Sequence, residues 1–258
     1  MSIQFVIPSY KRAKAIGQKT VKSLREAQVP DANIWVFVAS EEEKEEYQKY
    51  IPEVNLVVGK LGITPQRIFI NEFFPADTRL VSLDDDVKIV QKDELKTKEF
   101  VGSFVDLAER AFNLCETLGV RFWGVPVSSN GFFMKHECIH GLRKCAGALY
   151  GEYAQDPKVQ SFAPHSEDIE KQLKHVQVYG GLLRLNDLSA EQNVFAEGGV
   201  VDYVGGVDKR RELYRQVSQD LAAKYPDFVT FQEPKKATGA FEKFKNITLG
   251  RYSSLLTH

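Results

Sequence analysis

Residues 81–87, Val-Ser-Leu-Asp-Asp-Asp-Val, carry the strongest signal in the chain. Leu80 to Leu83 reads as a buried strand, and it runs straight into Asp84, Asp85 and Asp86. Three adjacent carboxylates repel one another, and taking them out of water is costly unless a cation or a donor network neutralises them. Ligands of open α/β sheets bind at the carboxyl ends of the strands, which is where the triplet falls. A hard divalent cation shared with a diphosphate accounts for it. The plainer account is an exposed acidic turn.

The residues before the triplet alternate between strand and helix signals. Residues 3–7 form an apolar run closed by Pro8, as a strand buried on both faces requires. Residues 12–27 place Ile16, Val21 and Leu24 at helical spacing. Strands are predicted over 34–38 and 54–58, separated by a helix over 41–50 whose exposed face carries the acidic run from Glu41 to Glu46. Thr64-Pro65 reads as an N-cap followed by proline at the first helical position, opening a helix to about Phe74. Strand, helix, strand, helix, strand, helix, strand means a mostly parallel sheet with helices on both faces, an α/β fold.

After the triplet, residues 100–118 predict a long amphipathic helix stopped by Gly119. A strand over 121–127 follows, then extended chain over 139–153 with glycines at 141, 147 and 151. Residues 166–176 read as a helix with Ile169, Leu173 and Val176 on one face, 182–185 as a short strand, and 209–224 as a helix. Residues 195–207 read as a glycine-rich loop, and from Pro234 onward no element is assigned. No linker composition divides the chain, so one domain over 1–258 is expected, with a nucleotide-binding-like sheet over 1–90.

Composition narrows the class. The chain has 258 residues, 43% apolar and 27% charged, which excludes collagen-like and fully disordered chains. No apolar run approaches the roughly 18 residues needed to span a bilayer, and the stretch before Pro8 is too short for a secretory core. Three cysteines with no CxxC pair argue against a disulfide scaffold or zinc knuckle and for a reducing cytoplasm. The net charge of −1 hides an asymmetry: the residues from Lys209 onward sum to +5 and the rest to −6. That region is either a basic contact surface or a solvated helix and tail.

Other residues qualify for chemistry on local grounds. With Thr64 as N-cap, Arg67 falls in the first helical turn, where the helix dipole disfavours a cation and favours a bound phosphate. Arg67 is then a diphosphate ligand, or it pairs with a carboxylate such as Glu72 or the triplet itself. Pro8-Ser9-Tyr10-Lys11-Arg12 follows the first strand, where a polar loop with an aromatic can hold a nucleotide or simply end the strand. Acids opening the helix at Glu167 and Asp168 are ordinary dipole chemistry. On a 100° wheel, though, Glu167 points away from the apolar stripe and Asp168 flanks it, so Asp168 is expected to line a cleft. Gly198-Gly199 and Gly205-Gly206 permit close backbone approach to a ligand. His136 and His140 are read as surface or structural residues, and no GxSxG, GxGxxG or P-loop pattern is present.

Together, PSYKR (8–12), GITPQR (62–67) with Asn71, LDDDV (83–87) and SED (166–168) resemble the GT-A glycosyltransferases over roughly residues 3–206. VPVSSNGFFMK (125–135), GALYGEY (147–153) and SEDIE (166–170) make the chain similar to the DNA-base glycosyltransferases of phages and of the base J pathway. The resemblance implies that residues 1–90 bind a UDP-sugar through Pro8, Ser9, Tyr10 and Arg12, with Arg67 near the diphosphate and Asp85 toward the ribose or sugar. Asp84 and Asp86 would take the outer places of a DxD motif and ligate Mn2+ or Mg2+. Residues 91–258 would bind the acceptor, through Glu167, Gly198 and Gly199, with Asp168 as catalytic base if the sugar inverts. A later histidine often completes the metal site in such enzymes, and beyond SED only His175 and His258 are available.

The implied acceptor is a hydroxymethylated base in DNA, 5-hydroxymethylcytosine above all. Phe241, Phe244 and Tyr252, interleaved with Lys243, Lys245 and Arg251, would stack on bases and follow phosphates. No membrane and no obligate protein partner are expected, and host cytoplasm is the implied location of a phage enzyme. The alternatives are a glycan or protein acceptor, a sugar-1-phosphate nucleotidyltransferase, which normally needs a glycine-rich loop after the first strand, and a non-enzymatic DNA-binding module.

Overall fold

The computed structural model describes residues 2–160, 166–192, 205–235 and 240–256. The first half runs β1 (Gln4–Pro8), α1 (Ala13–Gln18), α2 (Thr20–Glu26), β2 (Ile34–Val38), α3 (Glu41–Gln48), β3 (Asn55–Val58), α4 (Ile63–Phe73) and β4 (Arg79–Leu83). Residues 12–27, expected as one helix, are two. The chain breaks at Lys19 (φ −119°, ψ −88°), which leaves Thr20 buried at the start of α2. The hairpin β5 (Lys88–Asp93) and β6 (Lys96–Glu99) follows the triplet, then α5 (Phe104–Leu118), β7 (Phe122–Pro126), β8 (Glu137–Leu142) and β9 (Cys145–Tyr153). The remainder is α6 (Glu167–Tyr179), β10 (Leu182–Leu185), β11 (Leu188–Glu191), α7 (Val207–Lys224), β12 (Val229–Phe231), β13 (Glu242–Phe244) and β14 (Ile247–Ser253).

Among the described residues, nine strands form one sheet in the order β14-β8-β10-β7-β9-β4-β1-β2-β3. The pairings make β8 and β9 the two strands that oppose the direction shared by the other seven. This is the mostly parallel α/β sheet expected. Side chains alternate across it, as strand geometry requires. On β7, Trp123 and Val125 join the larger apolar cluster while Phe122 joins a second one, and on β9 Leu149 and Tyr150 divide the same way. The larger cluster takes residues of α1, α2, α3 and α5; the opposite face is covered by α4, α6 and α7.

The basic C-terminal region is built into this frame. β14 pairs antiparallel with β8, and Arg110 Nη2 donates to Leu255 O at 2.7 Å. Glu242 is buried beneath α7, accepting hydrogen bonds from Ser218 Oγ (3.0 Å) and Tyr214 OH (2.7 Å) and pairing with Lys144. The expectation that Phe241 and Phe244 stack on bases is therefore corrected: they are 2% and 6% exposed, Phe241 packing against Tyr214 and Phe231. Cys115, Cys138 and Cys145 are unpaired and buried. Among the described residues, no helix is long and apolar enough to cross a membrane.

Candidate active site

β1 and β4 are parallel neighbours, Phe5 facing Val81 and Val6 facing Ser82, so the chain leaves both strands at the same edge of the sheet. Pro8 itself stays in β1, buried and paired with Phe37. Ser9 is the first residue out, and its Oγ donates to Asp85 Oδ2 at 2.6 Å. Arg12 Nη1 donates to Asp85 Oδ1 at 2.7 Å and lies 3.4 Å from Asp86 Oδ2. Tyr47, from α3, supports both, its hydroxyl 2.7 Å from Ser9 Oγ and accepting from the Arg12 backbone N–H at 3.0 Å. Tyr10 stands apart with Lys11 over its ring. The break at Lys19 also has a purpose here: Thr20 Oγ1 donates to Asp84 O (2.8 Å) and accepts from Val87 N–H (2.9 Å), pinning both ends of the acidic turn.

The three acids are thus held differently. Asp85 is met by Ser9 and Arg12. Burial pushes Asp84 up to about 7, against the pull of Arg67, although a third of its side chain remains open to solvent. Asp86 is raised by burial and by the charge of Asp85, with Arg12 and Lys19 opposing.

Arg67 does not sit in the first helical turn. α4 is capped by Gly62, whose φ of 94° suits glycine, and begins at Ile63, which places Arg67 beyond the exposed N–H groups. The expected Thr64 cap and its dipole conflict do not arise. Instead Arg67 is buried and forms two ion pairs at 2.8 Å, Nη2 to Asp84 Oδ1 and Nη1 to Glu167 Oε1, with Nη2 also donating to Gly147 O. The alternative reading, pairing with the triplet, is the one the geometry bears out, and Glu167 is an added partner.

Glu167 and Asp168 open α6. The wheel reading is corrected here, because Glu167 turns inward and is 6% exposed. Glu170, Lys171, Gln172 and His175 are buried as well, so this helix has no polar outer face at its start for a wheel to find. Asp168 lies over β9, where a Cβ on Gly147 would come within 2.2 Å of its Oδ2. Burial and Glu167 push its carboxyl up to about 6, opposed by Arg67 and Lys144. Arg210, on α7, is close enough to feel the charges of Asp84, Asp168 and Asp86, though burial holds it below its ordinary value. No local signal in the sequence separates Arg210 from its neighbours Lys209 and Arg211.

For a divalent cation the fit rests on the donor set. Asp84 and Asp86 are hard oxygen donors at the end of β4; burial raises both carboxyls, with Arg67 opposing at Asp84 and Arg12 at Asp86. Among the described residues, no group of three or more acids, histidines or cysteines could by itself hold a metal ion; a hard cation can be held by one or two carboxylates with phosphate and water completing its shell. His175 is a core residue, packed against Phe122 and Tyr179, with neither ring nitrogen finding a hydrogen-bond partner among the described residues. His136 is exposed and His140 lies in β8. Gly198, Gly199 and His258 fall outside the described residues.

No family model matches the chain, and no curated protein matches it. Solved structures do. Glucosyl-3-phosphoglycerate synthase from Mycobacterium tuberculosis, in complex with Mn2+, UDP and glucosyl-3-phosphoglycerate, is similar over 98% of this chain and 90% of its own, at 12% identity and a TM-score of 0.54. The same enzyme with Mn2+, UDP-glucose and phosphoglyceric acid gives a TM-score of 0.52 at 11% identity, with the same coverage. S. aureus TarS, residues 1–349, gives a TM-score of 0.50 at 14% identity over 86% of this chain. This chain spans 66% of that structure and 40% of a longer TarS structure. At such identities the likeness is one of backbone, and its content is that the chain has the GT-A glycosyltransferase fold.

Proposed function

We propose that this protein is a metal-dependent glycosyltransferase that moves a sugar from a UDP-sugar to a hydroxymethylated base in DNA, with 5-hydroxymethylcytosine as the acceptor. The observation that carries the reading is the Asp84–Arg67–Glu167 bridge. It joins the acids at the end of β4 to the pair opening α6, so that donor-side and acceptor-side carboxylates belong to one charged network. Asp86 and Asp84 would hold Mn2+ or Mg2+, and the bound ion supplies Lewis-acid neutralisation of the departing diphosphate. Ser9 and Arg12 orient Asp85 toward the nucleotide. Asp168, raised to about 6, is poised to take the proton of the attacking hydroxyl near neutral pH. The Mn2+ and UDP of glucosyl-3-phosphoglycerate synthase support the donor side by analogy of fold.

The DNA acceptor rests on the sequence motifs, and the three unpaired thiols suit a reducing, cytoplasmic setting. The test is incubation of hydroxymethylated DNA with a panel of nucleotide sugars, with Mn2+ or with EDTA, followed by mass spectrometry of the released nucleosides. Glycosylated hydroxymethylcytosine that disappears in EDTA and in Asp86→Asn is the expected result. Sugar on phosphoglycerate or a glycan and none on DNA would move the acceptor to another class. No turnover of any donor would favour a binding module.

A further inference from the structure

We propose that Phe132 and Phe133, with exposed Leu95 on the adjoining β5–β6 hairpin tip, form a docking surface for an unstacked stretch of nucleic acid flanking the acceptor base, an inference that rests on the DNA acceptor proposed above. The two phenyl rings are 66% and 69% exposed and Leu95 is 73% exposed. The rings meet edge to face, with centroids 5.1 Å apart. They stand on the single turn Gly131–Phe133, in the loop that leaves β7. Because β7 and β4 both oppose β9, their carboxyl ends share one edge of the sheet, and the loop emerges on the same side as Asp84–Asp86.

The exposure is held in place. Gly131 packs so closely on the tip of the β5–β6 hairpin that a Cβ would lie 2.0 Å from Lys96 O. Lys92 Nζ donates to Gly131 O at 2.8 Å, Asn130 Oδ1 accepts from Phe132 N–H at 3.0 Å, and Lys135 N–H donates to Asn186 O at 3.1 Å. Buried Met134 anchors the far side. A turn fixed at both ends thus presents two aromatic faces to water, an arrangement that marks a binding surface rather than a loose loop.

The charge around the rings indicates the partner. Lys96 and Lys135 are exposed and make no ion pair among the described residues, while Lys92 donates to backbone carbonyls and not to a carboxylate. Of the nearby acids, Asp93 pairs with Lys98, Glu99 with Lys88 and Glu137, which also feels the charge of Lys135, with Arg251, leaving Glu94. Aromatic faces among cations suit bases and phosphates of a single strand. A stable dimer needs on the order of 20 residues a side, far more than this cluster offers. At roughly 3.3 Å per residue, the hairpin tip at Glu94–Leu95 is within about 30 Å of Asp86, a span of a few nucleotides of extended single strand.

The test uses the full chain carrying Phe132→Ala and Phe133→Ala together. Fluorescence anisotropy would follow a labelled single strand containing hydroxymethylcytosine, with DNA-free hydrolysis of the UDP-sugar measured alongside. The double variant is expected to lose at least about tenfold in affinity while keeping its melting temperature and donor hydrolysis. The pair Phe132→Tyr, Phe133→Tyr, which keeps the ring faces, should restore binding to within about threefold. Wild-type protein that glycosylates DNA while the alanine variant binds as tightly would overturn this surface and leave the acceptor assignment standing. Sugar on a small acceptor and none on DNA would remove the acceptor assignment and the surface with it. A wild-type dimer that the alanine variant dissolves would make the patch a self-association face, also against the proposal.

Discussion

Arg67 is a single buried cation facing two acids, Glu167 buried and Asp84 partly so, and its removal leaves both without it. Arg67→Ala is expected to destabilise the fold by about 3–5 kcal/mol, since an uncompensated buried charge costs more than the pair contributes. Arg67→Met, of similar size, should be nearly as harmful, and adding Glu167→Leu should recover much of the loss; urea unfolding of the three variants checks this. Asp187 tests the same principle away from the site. It is 1% exposed, its Oδ2 has no hydrogen-bond partner among the described residues, and burial pushes its carboxyl up to about 7. The folded form therefore holds this proton more tightly than the unfolded chain does, so its contribution falls as pH rises from about 4 to 7 and is level above. Asp187→Asn cannot ionise and should match wild type at pH 4.5 while exceeding it at pH 8 by about 1–3 kcal/mol. Equal stability differences at the two pH values would refute the assignment.

β9 and α6 meet where Gly147 leaves room for Asp168. Gly147→Ala puts a methyl group into the carboxylate's place, and a displacement of about 1 Å is enough to cost on the order of a hundredfold in turnover. The expected result is a fall in kcat with donor KM and melting temperature little changed; steady-state kinetics with varied donor reads both. The β-α alternation up to β4 was legible because each buried strand there is a local apolar run, and the acid triplet because it ends one of them. The start of α4 is not legible because Thr64-Pro65 carries every local mark of a cap, while the backbone turns at Gly62. β5, β6 and β11 carry no apolar run longer than the pair Ile89-Val90, and β11 pairs with β5 from about a hundred residues away. β14 is an edge strand with mostly exposed residues, so it has no apolar alternation to betray it. The bridge from Arg67 to Glu167 was half legible. The spacing suggested a carboxylate partner for Arg67, but only the folded sheet brings a second one from α6.

Across the whole molecule, the larger apolar cluster lies on one face of the sheet and the second, with a third and smallest one, on the other, and the C-terminal strands belong to both its edge and its covering. Ending the chain after Glu233 would uncover β8, remove Phe244 from the second cluster and leave Lys144 without Glu242. Such a truncation should lose its near-ultraviolet circular dichroism or become insoluble, rather than act as a donor hydrolase lacking a DNA arm. The cysteines allow a time-resolved view of the same architecture. Cys115 and Cys138 lie in the larger cluster and Cys145 in the second, and burial pushes Cys138 and Cys145 up to about 12. Alkylating reagent at pH 8 therefore finds them only when a molecule opens. Peptide mass spectrometry then counts openings separately for each side of the sheet. Since β7, β8, β9 and β10 each contribute residues to both of these clusters, a common labelling rate at the three thiols is expected; faster labelling of Cys145 would identify the face under α6 and α7 as the first to come apart.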